Sequence, residues 1–307
     1  NNRENINLFV LHPHNKISSI QRKIMTTIGG SNIYNIAVRG SFDDCQKIVK
    51  ELFNDDNFRL KINMSGVNSI NWSRIVCQIV YYFYSYFRLK KNNISFSVPT
   101  GNFGDIYAGY IAKKMGLPIN KLIVATNEND ILERVISTGE YKPEKVKPSI
   151  SPSMDIQVAS NFERLLFYVV GQDDKKVSLL MDNLTKKGFF KLDQNEIQEI
   201  KKDFEAVKID DETTRLIIKN INDEFKFIID PHTATGIGAA RKVKGIENIV
   251  VIGTAHPFKF SDTVQSATGI NLEAPPHLKM NIDKKEKFDI IKNSNSEAKD
   301  YILSKLL

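Results

Sequence analysis

The octapeptide Val98-Pro-Thr-Gly-Asn-Phe-Gly-Asp105 constrains the fold more than any other stretch of this sequence. It stands between a short β-prone run, Ile94-Ser-Phe-Ser-Val98, and a stretch from Ile106 to Met115 whose apolar residues fall at helical spacing. A strand that turns directly into a helix through glycine is the building unit of an α/β fold, and the turn is suited to hold an anion. Two glycines let the backbone take positive φ and approach a ligand closely, while the first N–H groups and the positive dipole end of the helix aim at the same spot. Neither G-x-x-x-x-G-K-[ST] nor G-x-G-x-x-G is present, so the nucleoside triphosphate and dinucleotide fingerprints do not apply. Asp105 caps or charges the helix start and has to turn its carboxylate away from any bound phosphate.

The pattern around the turn alternates. Strands are expected over 7–11, 33–38, 94–98 and 122–126, and helices over Ser18 to Ile28, Asp43 to Phe53, Ser73 to Phe87 and onward from about Asn129. Gly29-Gly30 is expected to close the first helix. This alternation predicts an α/β protein with two parallel or mixed sheets flanked by helices and joined by right-handed crossovers, with ligands at the carboxyl ends of strands, where Thr100 and Thr254 fall. From about 155 to 224 the pattern turns helical, with Asp173 to Lys186, Asp193 to Val207 and Asp210 to Asn222 each opening on an aspartate that caps it. A strand over 248–253 returns the chain to the sheet, and the tail after Gly269 is expected to pack as a short helix.

Composition narrows the class. With 307 residues, 41% of them hydrophobic, the chain can bury one large core or two modest ones. No apolar run approaches the roughly 20 residues of a membrane span. The longest, Ile75 to Phe87, is broken by Gln78 and reads as a buried helix. A net charge of +7 comes from lysines scattered among acids, as in Lys113-Lys114 and Lys201-Lys202, so solvated helix faces account for it and a nucleic-acid footprint is not expected. Cys45 and Cys77 have no metal spacing and each reads as a buried structural thiol, and the five histidines form no metal site. His256 lies near Thr254 and is read either as lining a pocket or as a satisfied structural histidine.

Six motifs then occur in one order: Asn68-Ser-Ile-Asn-Trp-Ser-Arg74, the run Ser97 to Asp105 with Ala112-Lys-Lys-Met-Gly-Leu-Pro118, Ala125-Thr-Asn-Glu-Asn-Asp-Ile-Leu132, Ser151-Pro-Ser-Met-Asp-Ile-Gln157 with Ser160-Asn-Phe-Glu-Arg-Leu-Leu166, Asp230-Pro-His-Thr-Ala234, and Gly253-Thr-Ala-His-Pro-Phe-Lys-Phe260. Together they resemble threonine synthase of the microbial and fungal type, a pyridoxal-phosphate enzyme of fold type II, over roughly Leu8 to Phe260. The resemblance implies conversion of O-phosphohomoserine and water into threonine and phosphate. It places the cofactor phosphate on Gly101, Asn102, Phe103, Gly104 and Asp105, and the pyridine nitrogen on the hydroxyl of Thr254. The substrate phosphate falls to Ser69, Arg74 and Asn102, Arg being suited to a bidentate grip on an anion.

The same resemblance puts the Schiff-base lysine and a Ser-Gly-Asp-Thr-Gly-like loop before Asn1. The chain is therefore expected to be a fragment, a proteolysed product or one half of a split protein, inactive alone and dependent on that segment, with no catalytic residue of its own to nominate. Residues 1–66 are expected to be the remainder of a smaller cofactor domain, and 67–307 a large cofactor and substrate domain. A cytoplasmic monomer or homodimer that meets neither nucleic acid nor membrane is expected. Two alternatives stay open: a non-catalytic derivative of the fold that binds a phosphorylated amino acid or a protein, and a related pyridoxal-phosphate lyase.

Overall fold

The computed structural model describes residues 3–17 and 19–306; Asn1, and Ser18 at the expected start of the first helix, lie outside them. The strands are β1 (Leu8–Pro13), β2 (Ile33–Arg39), β3 (Ile94–Pro99), β4 (Ile119–Thr126), β5 (Glu140–Tyr141), β6 (Phe190–Lys191), β7 (Phe204–Lys208), β8 (Ile249–Val251) and β9 (Asp289–Lys292). The helices are α1 (Ser19–Thr26), α2 (Phe42–Asn54), α3 (Asp56–Lys61), α4 (Trp72–Leu89), α5 (Gly104–Lys114), α6 (Ile131–Thr138), α7 (Phe162–Val169), α8 (Asp174–Lys187), α9 (Gln194–Asp203), α10 (Asp211–Phe225), α11 (Pro231–Lys242), α12 (Ser261–Thr268), α13 (Pro276–Ile282) and α14 (Asn295–Leu306).

The chain forms two compact units. The first runs to Gly66 and takes up the chain again from Glu273. Its sheet, in the order β1-β2-β9, is parallel throughout. Ile36, Val38 and Ile291 from the sheet pack with Cys45, Ile48 and Leu52 of α2 and Ala298 and Ile302 of α14. Residues 273–307 thus leave the larger domain to which the sequence reading assigns them, because the four-residue strand β9 pairs with β2 and α14 packs into the same core through Ala298 and Ile302. Cys45 is buried and its thiol is pushed up to about 11 by that burial. α1 stops at Thr26, and neither Gly29 nor Gly30 takes the left-handed conformation of a glycine C-cap.

The second unit, Val67–Leu272, carries a parallel sheet in the order β7-β4-β3-β8. All six residues of β3 are buried, as expected of a central strand covered on both faces. Helices α4 and α5 pack on one another, and Tyr82, Phe96, Phe103 and Leu122 lie at the centre of the core. Asp173, Asp193 and Asp210 do cap α8, α9 and α10 with their carboxylates. α9, however, ends at Asp203, and the segment from Phe204 to Val207, expected as the end of that helix, becomes part of strand β7 (Phe204–Lys208) beside β4. No helix among the described residues is long and apolar enough to cross a membrane.

α4 is the expected helix over 73–87, but only one side of it is buried. Cys77, expected to be buried there, is exposed. An apolar run marks a buried helix only where every face meets protein, and this one meets it on the Ile75, Ile79 and Tyr82 side alone.

Candidate functional site

β3 delivers the glycine turn to the carboxyl edge of the sheet. Thr100 fixes the exit: its N–H donates to the Ala125 carbonyl at 2.8 Å and its Oγ1 to the Val98 carbonyl at 2.6 Å. The chain then runs beneath the short 3-10 turn Pro152–Met154, so closely that a Cβ on Gly101 would stand 2.7 Å from the Ser153 carbonyl oxygen. Neither Gly101 nor Gly104 has positive φ, contrary to the expectation from sequence; the left-handed residue is Phe103, at 66°. Its ring, buried edge-to-face against Phe162 at 5.3 Å, holds the backbone in that conformation. The glycines serve close approach, and the aromatic anchor takes the strained dihedral.

Phe103 is the N-cap of α5 and offers no side-chain cap. Asn102 Oδ1 accepts from the Gly104 N–H at 2.9 Å, and the first turn otherwise presents uncapped amides and the positive end of the helix dipole. Asp105 is turned away from that end: Tyr82 Oη donates to its carbonyl at 2.8 Å and lies 3.1 Å from its Oδ1. Burial raises the Asp105 carboxyl to about 6, with the Tyr82 bond opposing. A folded-state value above the unfolded one means that the native chain holds the extra proton between about pH 4 and 6. This group therefore costs stability as pH rises through that window, and the cost is constant above it. Asp105→Asn, which keeps the Tyr82 acceptor and removes the titration, should be about 1–2 kcal/mol more stable than the native chain at pH 7.5 and equal to it near pH 4. Urea unfolding at the two pH values measures the difference.

Ser69 is brought to the turn. Asn161, fully buried, donates its N–H to the Asn102 carbonyl at 3.0 Å and its Nδ2 to the Ser69 carbonyl at 3.1 Å. Arg164 orients Asn161 through Oδ1 at 3.0 Å, donates to the Ile70 carbonyl at 2.9 Å, and lies over the Trp72 ring. The loop ahead of α4 is thereby tied to the loop ahead of α5. Asn161 and Arg164 were missed as site residues, although both lie in a quoted motif; a buried Asn whose amide joins two loops has no signature in a single sequence. Arg74, in the first turn of α4, is exposed and spends one N–H on the Val67 carbonyl at 3.2 Å. It follows the Ser69 loop, and no hydrogen bond joins it to the turn among the described residues.

The 3-10 turn against Gly101 is braced by a buried polar network. Asn127, at the end of β4, donates Nδ2 toward Ser151 Oγ at 2.9 Å and Asp155 Oδ1 at 2.8 Å, and Asp155 Oδ2 accepts from the Ser149 N–H at 2.9 Å. His232 Nε2 accepts from the Ser153 N–H at 3.2 Å, while its Nδ1 faces Asp230 Oδ1 at 3.1 Å. Thr254 lies three residues beyond β8, the strand next to β3, so it shares the carboxyl edge of the sheet with the turn. It is exposed, and no hydrogen bond joins it to the turn among the described residues. His256 is structural: its Nδ1 accepts from the Phe258 N–H at 3.2 Å and caps the turn that follows.

Comparison with known proteins places this arrangement. Residues 233–302 match the family model of the threonine synthase C-terminal region. Threonine synthase of Pseudomonas aeruginosa is 43% identical over 304 residues, covering 97% of this chain and 65% of that protein. The Saccharomyces cerevisiae threonine synthase is 43% identical over 288 residues, covering 86% and 56% respectively. Among solved structures, pyridoxal-phosphate-bound threonine synthase from Brucella melitensis superposes with a TM-score of 0.92 at 42% identity, over 99% of this chain and 66% of its own. The yeast enzyme gives 0.88 at 40% identity, with the same coverage. The chain spans less than two thirds of the length of the curated relatives it matches. In sequence along nearly its whole length and in the path of its backbone, it is similar to the threonine synthases.

Proposed function

We propose that this chain forms the anion-binding and substrate-orienting part of a threonine synthase that acts on O-phospho-L-homoserine with pyridoxal phosphate as cofactor. One observation carries the reading: the uncapped start of α5 and the Ser69 loop are locked side by side through Asn161, which offers two neighbouring loops to phosphate groups. The residues fit the cofactor. Gly101 to Asp105 would hold its phosphate through backbone N–H groups, and the Thr254 hydroxyl would meet the ring nitrogen. When bound, pyridoxal phosphate supplies an electron sink for carbanion chemistry. Ser69, Arg74 and Asn102 would take the substrate phosphate, which leaves as the product anion. Arg74 supplies a permanent charge close to solvent, where a phosphorylated amino acid enters. We assign the Schiff-base lysine to no residue of this chain. The first unit is taken as the remainder of the smaller cofactor domain, and the complete protein as a cytoplasmic monomer or homodimer.

The test is Arg74→Leu in a protein completed with the part of the Pseudomonas aeruginosa enzyme that this chain does not match. A charge-assisted contact of about 1.5–3 kcal/mol predicts a KM for O-phospho-L-homoserine raised between about tenfold and a hundredfold, with near-normal cofactor absorbance. Loss of cofactor with KM unchanged would make Arg74 structural and leave the substrate phosphate to Ser69 and Asn102.

A further inference from the structure

Every carbonyl from Val67 to Ile70, in the loop that carries Ser69, accepts a hydrogen bond from this chain. Arg74 Nη1 donates to Val67 at 3.2 Å, the Asn71 N–H to Asn68 at 3.1 Å, Asn161 Nδ2 to Ser69 at 3.1 Å and Arg164 Nη2 to Ile70 at 2.9 Å. The negative ends of four peptide groups are thereby drawn toward protein donors. A loop that meets an anion needs this, because a carbonyl oxygen facing a phosphate repels it while N–H and hydroxyl groups attract it. Two of the four donors stand at the start of α7, at positions 161 and 164, which lie three residues apart and so on one face.

Arg164 is fixed on three sides. Its Nε donates to Asn161 Oδ1 at 3.0 Å and its Nη2 to the Ile70 carbonyl, so one edge of the planar guanidinium serves two acceptors at once, and its face lies over the Trp72 ring at 5.6 Å. Neither acceptor is a carboxylate, so these bonds leave the positive charge beside the loop unneutralised. The two loops that Asn161 joins depend on Arg164 unequally. Ser69 is held through the Asn161 side-chain amide, whose orientation Arg164 sets, and Ile70 is held by Arg164 itself. The Asn102 carbonyl accepts from the same amide at 3.2 Å but also from the Asn161 main-chain N–H at 3.0 Å, a bond that stays when the side chain turns. We propose that Arg164 is a positioning residue for the substrate phosphate: it holds the Ser69 and Ile70 carbonyls back so that the loop meets the anion with the Ser69 hydroxyl, and it leaves the cofactor-phosphate turn to bonds that do not need it. The proposal rests on the assignment of the substrate phosphate to the Ser69 loop.

The test uses the protein completed with the part of the Pseudomonas aeruginosa enzyme that this chain does not match. Arg164→Lys keeps the charge and loses the double edge. It should raise KM for O-phospho-L-homoserine by about tenfold or more, with kcat within about threefold and pyridoxal phosphate affinity, by equilibrium dialysis, within about twofold of native. Trp72→Leu removes the ring but keeps both hydrogen bonds, and should raise KM by about threefold. Ring and guanidinium act as one device, so Trp72→Leu added to Arg164→Lys should raise KM no further, and multiplying effects overturn the shared role. Trp72 is the one tryptophan of the sequence, so a shift of its emission in the 307-residue Arg164→Lys chain reports the lost stack directly. Unchanged KM in folded Arg164→Lys, in a protein where Arg74→Leu raises it, overturns the role of Arg164 and leaves the phosphate site in place. If neither substitution moves KM, the site assignment falls with it. A loss of cofactor affinity equal to the loss of substrate affinity also overturns the proposal, since Arg164 would then brace both loops alike. Where Arg164→Lys does not fold, Trp72→Leu decides, and a native KM in that variant overturns the proposal.

Discussion

Gly109→Ala should destabilise the chain by about 2–3 kcal/mol, although the same change inside an ordinary helix stabilises by about 1 kcal/mol. Gly109 lies in the middle of α5 where it crosses α4, and a Cβ there would stand 2.5 Å from Tyr82 Cε1, 2.7 Å from Tyr82 Cζ and 2.9 Å from Leu122 Cδ2. None of these atoms has room to retreat. Tyr82 is fully buried, its ring meets Phe96 edge-to-face at 4.8 Å, and its hydroxyl is committed to Asp105. Leu122 is fully buried in β4. The helices have to separate or the ring has to leave its rotamer, and either response pulls on the backbone at the start of α5. Urea unfolding of Gly109→Ala in the native and Tyr82→Leu backgrounds measures the effect. Removing the ring should relieve most of the penalty, so the two substitutions couple strongly. A neutral or stabilising Gly109→Ala would show that α4 and α5 do not press together at this point.

What could be read from the sequence divides along a physical line. Local chemistry was legible: strand, glycine turn and helix at 94–115, and the aspartates that open α8, α9 and α10, because each depends on residues within a few positions. What long-range packing decides was not. Positive φ fell on Phe103 and not on a glycine because Phe162, far along the chain, anchors the ring. Phe204-Glu-Ala-Val-Lys208 continues the local pattern of the helix before it and is a strand because β4 offers it an edge. β9 is four residues that pair with β2 some 250 positions earlier, a contact no local pattern encodes. In α4 the apolar residues outnumber what one buried face needs, and the surplus that read as burial is exposed to solvent. The site divides in the same way. Gly101, Asn102, Gly104 and Ser69 are candidates nameable from the sequence and lie close together in the structure, whereas Asn161, which ties their two loops, acts through a side-chain amide that any buried Asn possesses.

Gly101→Val separates packing from phosphate binding. The new side chain would meet the Ser153 carbonyl oxygen at 2.7 Å and Met154 Cα at 3.1 Å, both backbone atoms. That backbone cannot yield cheaply, because Ser153 is held by His232, and the segment after it by Asp155 through Asn127 and Ser149. The turn has to shift instead, and with it the amides at the start of α5. Overpacking of this kind costs about 1–3 kcal/mol in the chain itself. In the completed protein it should also lower pyridoxal phosphate affinity by tenfold or more, since a displacement of a few tenths of an ångström spoils several hydrogen bonds at once. Gly104→Ala is the milder companion. Its Cβ meets Asn102 Oδ1 at 3.0 Å and Asn161 Nδ2 at 3.3 Å, side-chain atoms that can move. It should therefore destabilise less than Gly101→Val while still weakening the cofactor, because it disturbs the amide that Asn102 accepts from. Equilibrium dialysis of cofactor, set beside urea unfolding of each variant, distinguishes the two effects. If Gly101→Val loses stability but keeps native cofactor affinity, the glycine serves packing alone and the phosphate is bound elsewhere on the carboxyl edge of the sheet.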